Sequence, residues 1–88
     1  KMFIVLQSAL YLEVINRAVV DTDQKAWQEQ CHKMKGSAAS AGLFLVHQKL
    51  IAIEKSSESW QVKAEHLRVL DSLNQEAIEA FQQWLAVQ

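Results

Sequence analysis

The chain has very few residues at which a backbone turns sharply, and this restricts its fold more than any other feature. It contains no proline and only two glycines, Gly36 and Gly42, in 88 residues. A β protein must turn often, and its turns draw heavily on these two residue types. The sequence therefore favours long helices joined by few connections.

Four stretches of the chain repeat apolar residues with the 3.6-residue period of an α-helix. Short segments that carry helix-capping residues separate them: "DTDQ" (21–24), Gly42 and "SSES" (56–59). Such amphipathic helices with short connections favour an all-α fold, an antiparallel up-down four-helix bundle. We predict helices from about Met2 to Val20, from about Gln24 to Ala41, after Gly42 as far as "SSES", and from Trp60 onward.

Each predicted helix has one apolar face that is expected to form the core. Cys31 is interpreted as a small buried hydrophobe, and the three tryptophans as core anchors. Asn74 is the polar exception on the last face. The expected faces are Phe3, Leu6, Leu10, Val14 and Ala18; Trp27, Cys31, Met34, Ala38 and Ala41; Leu43, Val46, Leu50 and Ile53; and Trp60, Leu67, Leu70, Ala77, Phe81 and Trp84.

Charge and composition exclude several classes of function. The formal net charge is −1, with no basic cluster, so nucleic acid is not an expected partner. The apolar run after Met2 is interrupted well before the roughly 20 residues that a membrane span needs, so no direct membrane contact is expected. A single cysteine cannot form an internal disulfide. We expect residues 1–88 to form one domain, excised from a longer protein because the chain starts directly in a helix.

His32 is predicted to point away from the core. An α-helix advances about 100° per residue, so the second apolar face centres opposite this histidine. The segment "HKMKGSAASAG" (32–42) then runs through seven residues that have almost no side chain. The residues within about 60° of His32 on the helix are Gln28, Glu29, Lys35, Gly36 and Ala39.

This arrangement suits a nucleophile that carries an anionic group. Gly36 and Ala39 leave the ring of His32 uncovered, although a glycine inside a helix costs roughly 1 kcal/mol relative to alanine. Lys35, on the same face, can meet a negative charge attached to the ring. The alternative interpretation is a solvated surface histidine, because H-x-x-K-G is a short pattern on its own.

The segment "HKMKGSAASAGL" (32–43) resembles the phosphorylated-histidine segment of histidine-containing phosphotransfer (HPt) domains, H-x-x-K-G-[small]-[small]-x-x-x-G. His32, Lys35, Gly36, Ser37 and Gly42 fall on that pattern. The stretch "LVHQKLIAIE" (45–54) resembles the leucine-rich helix of the family, and the four-helix layout extends the resemblance over nearly the whole chain. The continuation "SAASAGL" is similar to that of trimethylamine-N-oxide-type sensor kinases.

The resemblance implies a phosphorelay intermediate in two-component signal transduction. A receiver domain would donate the phosphoryl group of its phospho-aspartate to His32, which would pass it to an aspartate of another receiver. Lys35 would support the phosphate, and Gln28, Gly36 and Ala39 would form the docking surface. The receiver would bring Mg²⁺, so no cofactor or metal is expected on this chain. The domain would have no kinase activity of its own.

The resemblance also implies a cellular setting for the domain. It would be the C-terminal HPt domain of a hybrid sensor histidine kinase, on the cytoplasmic side of an inner-membrane protein. As an isolated domain it is expected to be a monomer, because four satisfied apolar faces leave no large apolar patch.

Four alternatives accompany this interpretation. Glu54 is either a group that orients His32, by holding the proton on Nδ1 while Nε2 attacks, or an ordinary surface carboxylate. His32, His47, His66 and Cys31 could form a metal site between helices, but no metal-binding spacing supports one. The chain could also be a non-catalytic helical interaction domain in which His32 is incidental. Phe3 and Ile4 could cover the bundle near His32 and form part of the receiver-docking surface, or they could serve in core packing alone.

Overall fold

Over the residues that it describes, the computed structural model is a bundle of four helices. The structure describes the backbone of residues 2–87 and the side chains of residues 9–87. The helices are α1 (Met2–Val20), α2 (Gln24–Ala41), α3 (Phe44–Ile53) and α4 (Trp60–Ala86). Contacts join α1 to α2, α2 to α3, α3 to α4 and α4 back to α1. The all-α fold is confirmed, with successive helices as neighbours.

Local chemistry sets where the helices begin and end. Asp23 precedes α2 and its side chain accepts the backbone N–H of Ala26, at 3.1 Å. Ser59 does the same for α4 by accepting from Val62. Gly42 ends α2 in the left-handed conformation at φ 76°, where its N–H meets the carbonyls of Ala38 and Ala39. The sequence predicted these three segments as helix ends, and the structure confirms them.

The core lies along one line of each helix. Most of the buried side chains are apolar, but the polar Asn74 and Lys63 are buried as well, at 2 % and 3 % exposure. Trp27, Leu50 and Leu70 have no accessible surface at all. The buried apolar set is Ile15, Ala18, Trp27, Cys31, Met34, Ala38, Val46, Leu50, Ile53, Leu67 and Leu70.

The predicted apolar face of α1 is correct at Ala18 and wrong at Leu10 and Val14. Leu10 and Val14 are exposed, at 60 % and 43 %, whereas Ile15 is fully buried beside Ala18. Apolar residues occupy most faces of α1, so the 3.6-residue period alone does not define one apolar stripe. The contacts of α1 with α2 and α4 determine that the line through Ile15 is buried. The side chains of Phe3, Ile4 and Leu6 lie outside the described residues.

The predicted apolar face of α4 fails at its C-terminal end. Trp84 is 54 % exposed and Phe81 is 36 % exposed, so Trp84 is not a core anchor. Their rings stack on each other, with centroids 6.0 Å apart. Since α4 has 27 residues, about 40 Å, and α3 only 10, about 15 Å, α4 extends beyond its neighbour. The last turns of α4 therefore lack a helix on the α3 side.

None of the helices in the described part of the chain is both long enough and apolar enough to cross a membrane.

A pair of neighbouring substitutions in α1 tests the corrected core. Ile15→Ala should lower the free energy of unfolding by about 2–4 kcal/mol, because it removes buried methyl groups and leaves a cavity. Val14→Ala should change it by no more than about 0.5 kcal/mol at its exposed position. Urea denaturation of both variants measures the difference. Equal losses would contradict the assignment of the buried line.

Candidate functional site

His32 stands on the outer side of α2. Its side chain is 70 % exposed, while Cys31 directly before it is fully buried. The buried line of α2 runs through Trp27, Cys31 and Met34, so one further residue turns His32 out of the bundle by about 100°. The expected outward orientation of the histidine is therefore present in the structure.

A buried carboxylate from α3 lies beside this histidine. Glu54 is the C-cap residue of α3, directly after Ile53, and it is only 8 % exposed. Its Oε1 is 3.4 Å from Nδ1 of His32 and 2.9 Å from Nζ of Lys35. One oxygen thus joins the two residues that the resemblance singled out, across the α2–α3 contact. Glu54 is not an ordinary surface carboxylate.

The electrostatics keep this carboxyl group ionised. A hydrogen bond from Lys35 is the largest influence and lowers the pKa of Glu54, helped by the charges of Lys35 and His32 and opposed by burial. An ionised carboxylate beside Nδ1 attracts a ring proton there, which favours the Nδ1–H form of a neutral imidazole.

Cys31 contributes no second nucleophile at neutral pH. Burial, followed by the nearby charge of Glu54, raises the pKa of the Cys31 thiol to about 12. The thiolate is the reactive form of cysteine, so this side chain remains a neutral hydrophobe. Cys31 acts in the core, as the sequence predicted.

The surface around His32 is open. Gln28, Gly36 and Ala39 are all exposed. A Cβ atom added at Gly36 would meet no atom of the described residues within 4 Å beyond its own helix backbone and chain neighbours. The packing of this domain therefore does not require glycine at position 36, although the helix loses stability by having it there.

The other two histidines belong to separate contacts. Nδ1 of His47 donates to the backbone carbonyl of Lys35, at 3.2 Å. His66 lies between Lys49, 3.0 Å from its Nδ1, and Glu58, 2.8 Å from its Nε2. Within the described residues, no three His, Cys, Asp or Glu side chains form a cluster that could hold a metal ion.

Two features near the site were not foreseen from the sequence. Lys63 is buried, with its ammonium group 4.2 Å from the ring centre of Trp60 and bonded to the side chain of Gln24. The indole N–H of Trp27 donates to the backbone carbonyl of Ile53, at 3.0 Å. A buried tryptophan needs a hydrogen-bond acceptor for its N–H. The predicted burial of Trp27 therefore indicated that such an acceptor exists, but not that it is the Ile53 carbonyl.

Exchange of the carboxylate for an amide tests the ionised state of Glu54. Because the pKa of Glu54 is lower in the folded than in the unfolded chain, its charge stabilises the fold above the ordinary glutamate pKa. That stability is lost as the pH falls through the lowered value. Glu54→Gln should cost about 1–2 kcal/mol at neutral pH, and the difference from wild type should shrink on acidification.

Urea unfolding at a series of pH values measures this difference. Glu65→Gln is the matched control, since Glu65 pairs with Arg68 on the surface at 62 % and 77 % side-chain exposure. The control should stay within about 0.5 kcal/mol of wild type throughout. A Glu54→Gln difference that did not vary with pH would contradict an ionised Glu54.

Searches of curated proteins and of solved structures give no significant match. The family model described as "Hpt domain" matches residues 5–84. This match spans all of α2 and α3 and most of α1 and α4, and it includes His32, Lys35, Gly36 and Glu54. The chain therefore belongs to the Hpt domain family.

Proposed function

We propose that His32 accepts a phosphoryl group from the phospho-aspartate of one receiver domain and passes it to an aspartate of another. Membership of the Hpt family gives the chain a phosphotransfer role in a two-component phosphorelay. The observation that carries the assignment to His32 is its exposed ring with Nδ1 beside the buried carboxylate of Glu54.

The transfer step needs little from this chain beyond position and charge. The lone pair of Nε2 attacks phosphorus, the N–P bond forms, and the bond from phosphorus to the aspartate oxygen breaks, leaving the carboxylate with its electron pair. The proton stays on Nδ1, so the phosphorylated ring carries a positive charge. Glu54, as the acceptor of that proton's hydrogen bond, stabilises this charge. Transfer to the second receiver reverses each step.

Lys35 supports the phosphoryl group in this proposal. Its Nζ contacts Glu54 in the unphosphorylated chain, and its side chain is 25 % exposed. The long, flexible stem allows the ammonium group to turn toward the phosphoryl oxygens once His32 carries them. Lys35 then serves two anions in turn, Glu54 before the transfer and the phosphoryl group after it.

The receiver docks on the open face formed by Gln28, Gly36 and Ala39. Their exposure leaves room for the acidic pocket of a receiver and the Mg²⁺ that it carries. In this proposal the chain itself uses no cofactor, and the isolated domain acts as a monomer, without direct membrane contact and without kinase activity of its own.

The proposal extends to the protein from which the domain comes. The resemblance of "SAASAGL" (37–43) supports a hybrid sensor histidine kinase of the trimethylamine-N-oxide type. Such a parent would lie in the inner membrane and hold this domain at its C-terminus on the cytoplasmic side.

Intact mass spectrometry at neutral pH tests the function directly. After exposure to a phosphorylated receiver, or to phosphoramidate, the wild-type chain should gain one phosphoryl group that is lost in acid. His32→Gln should gain none, with His66→Gln as the control that still does. If the wild type gained nothing while a control HPt domain was phosphorylated, the chain would instead be a non-catalytic interaction domain.

Two substitutions at Gly36 separate folding from docking. Gly36→Ala should raise the free energy of unfolding by about 0.5–1 kcal/mol, because its Cβ meets open space and alanine favours the helix. Gly36→Gln should also leave the bundle folded but slow transfer from a receiver, on the order of 10-fold, by holding the phosphoryl group away from Nε2. Thermal unfolding and the transfer rate are measured on both variants.

The small donor phosphoramidate is the control for the Gly36 variants. It needs no docking surface, so it should phosphorylate Gly36→Gln as fast as wild type. Transfer from the receiver at the wild-type rate would show that position 36 does not limit its approach.

A further inference from the structure

The indole of Trp27 ties the end of α3 to α2. Its Nε1–H donates to the carbonyl of Ile53, at 3.0 Å, between residues 26 positions apart in the chain. Trp27 is 0 % exposed and Ile53 is 1 % exposed. Water therefore has no access to replace the bond, and a buried bond of this kind is held in one arrangement.

Local capping groups contribute little to the stability of α3. With ten residues, α3 is too short to be stable alone, and Leu43 at its start gives no side-chain cap. The C-cap residue of α3, Glu54, has a right-handed helical backbone conformation, whereas a left-handed glycine ends α2. The Ile53 carbonyl has lost its helical partner there and accepts the N–H of Ser56, at 3.1 Å, as its local bond.

This tether lies next to the candidate site on both helices. Ile53 immediately precedes Glu54 in the chain, and Trp27 lies five residues before His32 on α2. The contact of Glu54 with Nδ1 of His32 is 3.4 Å, an electrostatic contact longer than an ordinary N–H···O hydrogen bond. A small shift of the α3 end away from α2 is therefore enough to break it.

We propose that Trp27 is a positioning residue that holds Glu54 against His32 and Lys35 through its bond to the Ile53 carbonyl. The bond fixes the distance between the end of α3 and α2, and Glu54 follows because it is the next residue. The effect on transfer rate rests on the proposed function, whereas the effect on the geometry of His32 stands apart from it.

Trp60 provides the matched comparison. Its ring packs edge-on to Trp27, with centroids 6.1 Å apart at 87°, and lies under the ammonium group of Lys63. It thus shares the same aromatic cluster, and its ring contacts join it to Trp27 of α2 and Lys63 of α4. A phenylalanine at either position keeps an aromatic ring in the cluster and removes one indole N–H.

The first test compares Trp27→Phe with Trp60→Phe at a temperature at which both are folded. Ring ¹⁵N chemical shifts of His32, recorded at alkaline pH where imidazole is neutral, report which nitrogen holds the proton. Trp27→Phe should lower the share of the Nδ1–H form, and Trp60→Phe should leave it as in wild type. An unchanged share in Trp27→Phe would overturn the proposal.

A second variant keeps the test valid if Trp27→Phe does not fold. β-(3-Benzothienyl)alanine at position 27 keeps the fused ring system and replaces the N–H group by sulfur, so core packing is retained while the donor is lost. The same fall in the Nδ1–H share is expected. A wild-type share in this folded variant would contradict the role of the bond.

A double-mutant cycle shows whether Trp27 acts through Glu54. In a Glu54→Ala background, Trp27→Phe should produce no further change in the Nδ1–H share, because the group it positions is absent. Equal changes in both backgrounds would mean that Trp27 affects His32 by another route and would overturn the proposal.

The transfer rate adds the functional consequence. Trp27→Phe should slow phosphorylation of His32 by a receiver on the order of 10-fold, and Trp60→Phe should not. If the wild type were never phosphorylated while the ¹⁵N shifts behaved as expected, the proposed function would fail and the positioning role would stand. A normal rate together with a changed Nδ1–H share would overturn only the link between position and rate.

Discussion

The contact between α2 and α3 is the constraint on which the candidate site depends. The two helices are joined by the two-residue connection Gly42–Leu43, so they run side by side in opposite directions. Their buried lines, through Cys31 and Met34 on one helix and Leu50 and Ile53 on the other, hold them together. The end of α3 is thereby brought beside the middle of α2, and a carboxylate at that end meets a histidine on the outer side of α2.

Burial makes that carboxylate effective. Glu54 is almost fully covered, so its charge is screened little by water, and it keeps its charge because Lys35 lies 2.9 Å away. A solvent-exposed carboxylate at the same distances from His32 and Lys35 would interact with them far more weakly, because water would screen its charge. The cost of burying Glu54 is offset by the lysine, and His32 remains 70 % exposed for a partner. The imidazole ring of His32 thus contacts a buried carboxylate on its inner side and remains accessible on its outer side.

Gly36 and Lys63 show two ways in which this bundle departs from simple helix packing. Gly36 weakens α2, and no contact within the described residues calls for it, which fits a surface shaped for another molecule. Lys63 is a buried cation whose charge faces the rings of Trp60 and Trp27 and the amide oxygen of Gln24. Those contacts offset its desolvation and close the end of the bundle at which α2 and α4 begin.

The sequence by itself determined the four helices, their caps and the outward direction of His32. Each depends on local rules: the 3.6-residue period, the capping chemistry of Asp23 and Ser59, and the left-handed conformation open to Gly42. The core line of α2 was equally predictable, because its apolar residues form one narrow stripe among polar ones. The family motif supplied the proposed roles of His32 and Lys35.

Only the tertiary structure decided what depends on residues far apart in the chain. Most faces of α1 are apolar, so several of them could have formed its buried face, and packing against the neighbouring helices buried Ile15 rather than Val14. The length of α4 beyond α3 left Trp84 exposed, and the packing of α2 on α3 buried Glu54 beside His32. A period fixes which residues share a face of one helix, but contact between helices decides which face is covered and which charges meet.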